Sequence, residues 1–172
     1  VEEELETRTI TRVPSITAFS SKATSDVDVR LACFIDTETT GLDTATAEII
    51  EIGYIIVEFD QMGRFYGVKK KFNALQEPST PLPPKITEVT GLKDEDLQGM
   101  SIDWQQVETD LAVVDLFVAH KADFDKPILE RYSKVFEKKF WGCSINDINW
   151  SALGQKASNL EWLLYSVTQS FF

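Results

Sequence analysis

Two carboxylates, Asp36 and Glu38, stand two residues apart at the end of an apolar run, Leu31-Ala32-Cys33-Phe34-Ile35. That run is β-prone and reads as a buried strand. In a strand, an i, i+2 spacing places both side chains on one face. Like charges so placed repel and lose hydration, and they require either a cation between them or raised pKa values. Carboxylate oxygens suit hard divalent ions such as Mg²⁺ or Mn²⁺. Thr39-Thr40-Gly41 then turns the chain and lets backbone approach a ligand closely. A second acidic pair, Asp123 and Asp125, follows another apolar run, Leu116-Phe117-Val118-Ala119, where a helical pattern begins. A carboxylate at a helix N-terminus is favoured by the free N–H groups and the dipole. Taken separately, the first pair is compatible with a strand that ends in a polar turn, and the second with a capped helix.

The elements that must carry these acids follow from periodicity. The β-rich run 48–59 and the run 63–72 flank Asp60-Gln61-Met62-Gly63, which predicts a hairpin. With the strand at 31–37 this makes three consecutive antiparallel strands. Lys69, Lys70 and Lys71 are expected on a solvated strand face or edge. A Pro-rich loop, 78–84, precedes a short helix stopped by Gly91, and Asp94–Leu97 forms another turn. A third helix begins near Ser101, the expected N-cap, with Trp104, Val107, Leu111 and Val114 at helical spacing. The strand 116–119 leads into a helix over 123–135, with Pro127 in its first turn. A last strand at 140–145 precedes helices near 146–154 and 158–168. This order predicts an α/β fold, a mixed sheet with helices on both faces, in the order of the ribonuclease-H-like fold. Its first strand is central, which puts Asp36 and Glu38 at the heart of the sheet.

Composition sets the outer limits. A chain of 172 residues with 43% hydrophobic content supports one core. Residues 1–30 differ from the rest, acidic and then rich in Ser and Thr, with an alternation at Thr9, Thr11 and Val13 that suits a short strand. They are expected to form an N-terminal extension packed on the domain or contacting a partner, with the functional domain over 31–172. The first residue is not Met, which is the mark of a processed chain or an excerpt. No apolar run is long enough for a bilayer and no signal peptide opens the chain, so a cytoplasmic location is expected. The two cysteines, Cys33 and Cys143, lie in apolar strand contexts and read as buried free thiols rather than a disulfide. A net charge of −11 argues against a broad surface that grips duplex nucleic acid. It leaves room for a small site whose bound metal ions supply local positive charge.

The string Phe34-Ile35-Asp36-Thr37-Glu38-Thr39-Thr40-Gly41-Leu42 resembles the first motif of the DEDD superfamily of 3′–5′ exonucleases, the class of the proofreading subunit of bacterial DNA polymerase III. The run His120-Lys121-Ala122-Asp123-Phe124-Asp125 resembles its second motif, which reads His-Asn-x-x-Phe-Asp after a strand and at a helix start. Lys121 departs from it, offering donors and a mobile charge where an Asn would both donate and accept. Ile86 to Leu92 resembles the family's loop-helix with a Thr-Gly pair beside the nucleotide. Trp141 to Ser144, Asp147, Trp150 and Leu160 to Leu164 look like the segment that leads to a third motif. That motif, His followed five residues later by Asp, would begin just past Phe172 and would supply the fourth carboxylate and the general base.

The resemblance implies hydrolysis at a 3′ end with two Mg²⁺ or Mn²⁺ ions, for which Asp36, Glu38 and Asp125 would be ligands and catalytic residues. Thr39, Gly41, Leu42, Thr90, His120 and Phe124 would surround the terminal nucleotide, by apolar wedging and stacking that tolerate any base. It implies single-stranded nucleic acid as partner, DNA favoured, and DNA polymerase subunits as further partners. Residues 1–172 as written are expected to be catalytically incomplete. An exonuclease-like module that binds a polymerase or strand end without cleaving is the competing reading, and an exoribonuclease acting on RNA 3′ ends is another. A ribonuclease-H-type endonuclease or an integrase shares the fold but leaves the turn 39–42 and the run 119–125 unexplained.

Overall fold

The computed structural model describes residues 11–12, 28–168 and 170–171. In chain order the elements are β1 (Thr11–Arg12), β2 (Val29–Thr39), β3 (Ile49–Asp60), β4 (Phe65–Leu75), α1 (Pro84–Thr90), α2 (Asp94–Leu97) and α3 (Trp104–Leu111). There follow β5 (Leu116–Ala119), α4 (Ala122–Tyr132), a 3₁₀ turn at Lys134–Phe136, β6 (Phe140–Cys143), α5 (Leu160–Thr168) and β7 (Ser170–Phe171). These elements divide into two units, residues 18–147 and residues 1–17 with 148–172. The expected N-terminal extension lies outside the described residues, apart from Thr11–Arg12 and 28–30.

The larger unit is built on a mixed five-stranded sheet in the order β4-β3-β2-β5-β6. β2 is central, antiparallel to β3 with Asp36 opposite Gly53 and Glu38 opposite Glu51. On its other side β5 runs parallel to it, but only over Ala32 to Phe34. The β3–β4 hairpin closes at Asp60, whose carboxylate accepts from the Met62 and Arg64 amides at 2.8 and 3.0 Å. Side-chain bonds of this kind hold a tight turn against the pull of regular pairing.

One face of the sheet carries Cys33, Ile35, Ile52, Tyr54, Ile56 and Phe117, and α3 and α4 bring Val107, Leu111, Ile128 and Leu129 onto them to form the main core. Each large apolar side chain so buried contributes about 1.5–3 kcal/mol before entropy is counted. Both cysteines are buried and free, as expected. A polar clasp also fixes α3, since Tyr54 Oη donates to Asp110 at 2.7 Å and Lys70 Nζ pairs with it at 2.8 Å. Lys69 and Lys70 lie on the edge strand β4 with partly exposed side chains, and Lys69 reaches Glu58 at 2.7 Å. A smaller cluster of Ile50, Leu82 and Leu97 gathers Leu75, Ile86 and Leu92 around it.

Several local expectations need correction. Asp103, not Ser101, caps α3, accepting from the Gln106 amide at 3.0 Å. α4 begins at Ala122, so Pro127 lies past its first turn, where no amide exists at 127 to continue the ladder. No helix forms over 146–154. There Asn149 Oδ1 accepts from Ser151 Oγ at 2.8 Å and the Ala152 amide at 3.1 Å, and Gly154 turns with a φ of 76°.

In the second unit β1 pairs in parallel with β7, Thr11 opposite Ser170 and Arg12 opposite Phe171. α5 starts where Asn159 Oδ1 accepts from the Trp162 amide at 2.8 Å, and it buries Leu163. Among the described residues no helix is long and apolar enough to cross a membrane.

Candidate active site

The alternation of β2 sorts its residues into two sets. Cys33, Ile35, Thr37 and Thr39 are buried, while Phe34, Asp36 and Glu38 share the opposite, accessible face. Register then adds a third acid, because Glu51 lies opposite Glu38 on β3. Asn73 Nδ2 donates to Glu51 Oε1 at 2.6 Å and holds it. Glu51 could not be found from spacing along the chain, since it enters only through the pairing of two strands.

Asp125 arrives from the other side. β5 stops pairing with β2 at Phe34, which leaves the β2 edge beyond that point open toward α4. Asp125, in the first turns of α4 and only 3% exposed, fills it. Its Oδ1 accepts from the Thr37 amide at 3.2 Å and from Thr37 Oγ at 2.8 Å. Thr37, between Asp36 and Glu38 in sequence, thereby ties the second acidic segment to the first. The sequence hinted at this only through a hydroxyl residue set between two acids.

The charges feel one another. Although Asp36 is on the accessible face, partial loss of hydration pushes its carboxyl above the ordinary value, Glu51 adds to the effect and His120 opposes it. Burial likewise raises Glu38, with Asp36, Glu51 and Asp125 each adding repulsion. Asp125 is pushed up to about 6, chiefly by burial and further by Asp36, against the Thr37 hydrogen bonds. The mutual repulsion of Asp36, Glu38 and Asp125 is of the kind that a hard divalent cation would relieve. These carboxylates do not form a closed cage, for among the described residues no three His, Cys, Asp or Glu side chains are grouped to hold an ion.

The remaining expected residues sit as follows. His120 directly follows β5, with its Nδ1 2.7 Å from Ser144 Oγ. Thr39 Oγ donates to the Gly41 carbonyl at 2.7 Å and shapes the turn after β2. Leu42, just past that turn, is 86% exposed. Phe124 is partly buried against the main core. Thr90 closes α1, donating to the Ile86 carbonyl at 2.9 Å and accepting from the Leu92 amide at 3.1 Å. Among the described residues no hydrogen bond ties Leu42, Thr90 or Phe124 to the acids. Lys121 takes the N-cap position of α4 without a side-chain capping bond.

Comparison with known proteins identifies the family and the fold. The family model RNase_T, described as Exonuclease, matches residues 33–150. The chain is 31% identical over 110 residues to a PolC-type DNA polymerase III of Thermotoga maritima, a match that covers 63% of this chain and 7% of that protein. The corresponding Bacillus subtilis protein is 33% identical over 105 residues, covering 59% and 7%. A protein of Escherichia phage 186 named "Uncharacterized exonuclease CP81" is 32% identical over 106 residues, covering 60% of this chain and 49% of its own. The chain thus spans a small part of the polymerases and about half of the phage protein. Among solved structures, Exonuclease X in complex with 5′ overhanging duplex DNA superposes with a TM-score of 0.55 at 20% identity, covering 80% and 73% of the two chains. An Exonuclease I–SSB C-terminus complex superposes with a TM-score of 0.61 at 11% identity, covering 80% and 36%. These structural likenesses establish the ribonuclease-H-like exonuclease fold.

Proposed function

Because the chain belongs to the RNase_T exonuclease family, we propose that it forms the catalytic domain of a 3′–5′ exonuclease that removes nucleotides from the 3′ end of single-stranded DNA. The observation that carries this reading is the double hydrogen bond from Thr37 to Asp125 Oδ1, which ties the acid of the second segment to the strand bearing Asp36 and Glu38. Three mutually repelling carboxylates at one strand end are poorly explained as a structural device, because they destabilise the site in the absence of a cation.

Asp36, Glu38 and Asp125 would hold Mg²⁺ or Mn²⁺. When bound, the metal supplies Lewis acidity toward the phosphodiester and lowers the pKa of a water. The chain's own groups do the rest. Thr37 holds Asp125 in place through two donors. Thr39 and Gly41 shape the backbone that faces the nucleotide. Leu42 and Phe124 offer apolar contact to a terminal base without reading its identity. Thr90 and His120 complete the nucleotide surroundings. The likeness to PolC-type polymerases supports a polymerase subunit as a further partner, and a DNA-directed role supports a cytoplasmic location.

A second reading, end binding without cleavage, draws on Lys121, which stands where the family motif has Asn and makes no capping bond. Calorimetric titration with Mn²⁺ separates the possibilities at their root. Binding that weakens in each of Asp36→Asn, Glu38→Gln and Asp125→Asn is expected. Affinity unchanged by all three would remove the basis for assigning the metal to these residues.

A further inference from the structure

β5 and β6 run parallel, with Ala119 opposite Cys143, so the next residues of the two strands, His120 and Ser144, emerge side by side. Backbone bonds clamp this pair of strand ends, the Ser144 amide to the Ala119 carbonyl at 3.0 Å and the Ile145 amide to the His120 carbonyl at 3.1 Å. His120 Nδ1 lies 2.7 Å from Ser144 Oγ. That contact fixes the ring plane. The opposite nitrogen, Nε2, is buried and has no hydrogen-bond partner among the described residues. A buried polar atom without a partner carries its desolvation penalty uncompensated, and such atoms mark places where a ligand is expected.

Which species Nε2 presents is decided by its surroundings. His120 is close enough to Asp36 to act on its ionisation, and Asp36 is in turn coupled to Glu51, Glu38 and Asp125. A ring nitrogen lone pair turned toward the Asp36 carboxylate would place acceptor against acceptor. An N–H in the same place is attracted to it. The tautomer that satisfies both ends has Ser144 Oγ–H donating to the Nδ1 lone pair and the proton on Nε2.

We propose that Ser144 is a positioning residue that holds His120 as an Nε2–H donor for a phosphate oxygen of the terminal nucleotide, so that the chain's sole histidine binds the substrate anion rather than acting as a base. This rests on the nucleotide-site reading above and adds to it the chemical role of one atom and the residue that sets it. A phosphate oxygen is the acceptor that a nucleotide strand brings to a site otherwise lined by carboxylates. The bond would be charge-assisted, and it would form only when the end of the strand is seated.

His120 is the chain's only histidine, so its two ring nitrogens can be read in a ¹⁵N-labelled sample without assignment. The long-range ¹H–¹⁵N spectrum of the free, full chain is expected to show a protonated Nε2 and an unprotonated, hydrogen-bonded Nδ1. Ser144→Ala should convert this into a tautomer mixture, and Ser144→Thr should restore it. Thymidine 5′-monophosphate should shift Nε2 more than Nδ1. Its affinity should fall about 10- to 100-fold in His120→Phe, the loss expected of one hydrogen bond to a charged group. His120→Gln, which keeps a side-chain N–H, should recover most of it, with circular dichroism confirming that both variants fold. An unprotonated Nε2 in the free protein, or one broadened directly by Mn²⁺, overturns the proposal in favour of a base or a metal ligand. Wild-type binding that Asp36→Asn abolishes but His120→Phe leaves unchanged overturns the donor role and leaves the nuclease reading standing. A wild-type protein that does not bind the mononucleotide at all overturns the nucleotide site, and the donor's ligand with it.

Discussion

Replacing Asp125 by Asn should make the metal-free protein more stable, which is unusual for a change at a nearly fully buried polar residue. The reasoning starts from its carboxyl, raised to about 6 chiefly by burial, against an ordinary value of 3.8. A folded-state pKa above the unfolded one means that folding favours the protonated form. The ionised carboxylate is therefore a burden on the fold above about pH 6, one that lightens as pH falls and is gone below about pH 4. At 1.36 kcal/mol for each pH unit, the burden at pH 7 is about 3 kcal/mol. The amide of Asp125→Asn would keep an oxygen to accept from Thr37 N and Oγ and would remove the charge that Asp36 repels. This substitution should thus raise the melting temperature at pH 7 by about 6–12 °C for a chain of this size. Asp125→Ala should not, because it leaves two Thr37 donors buried and unanswered, at about 1–3 kcal/mol each. Thermal unfolding in EDTA at pH 7 and pH 4.5 checks the sign, since the advantage of the amide should shrink on acidification. Adding Mg²⁺ or Mn²⁺ should then stabilise the wild type and not the variant. A variant that melts below the wild type in EDTA, or that gains as much from the metal, would refute the electrostatic account of the site.

Two smaller perturbations probe the supports of the same site. Thr37→Val keeps the shape of the side chain and removes the hydroxyl that bonds Asp125. It should destabilise the fold by about 1 kcal/mol and weaken Mn²⁺ binding, measured by denaturant titration and calorimetry. Lys121→Ala should weaken single-strand binding and flatten its salt dependence by about one ion if this side chain meets phosphate, as anisotropy at graded salt would show. If Lys121→Asn instead raises metal-dependent activity, the lysine is a defect of the site.

The acids themselves were legible because their spacing is local. Asp36 and Glu38 share a face by strand geometry alone, and the central place of β2 followed from the order of apolar runs. What escaped the sequence was whatever depends on distant partners. Glu51 joins the site through antiparallel register with Glu38. Thr37 holds Asp125 only because β5 ends its pairing early and leaves an amide open. Lys70 reads as edge-strand charge, and its partner Asp110 enters only because α3 packs against the sheet. Over 146–154 the chain forms turns, closing at Gly154 with a positive φ, instead of the expected helix. Leu42 and Thr90 illustrate the converse, since their resemblance-based roles concern a bound strand rather than contacts of the free chain.

The central claim is metal-dependent removal of nucleotides from a 3′ end at Asp36, Glu38 and Asp125. It is tested most directly by incubating a 5′-labelled single-stranded oligonucleotide with the protein, in Mg²⁺ or Mn²⁺. A ladder of products shortened one nucleotide at a time is expected, absent with a chelator and absent in Asp36→Ala. Internal cuts, trimming from the 5′ end, or undiminished degradation by Asp36→Ala would contradict the account.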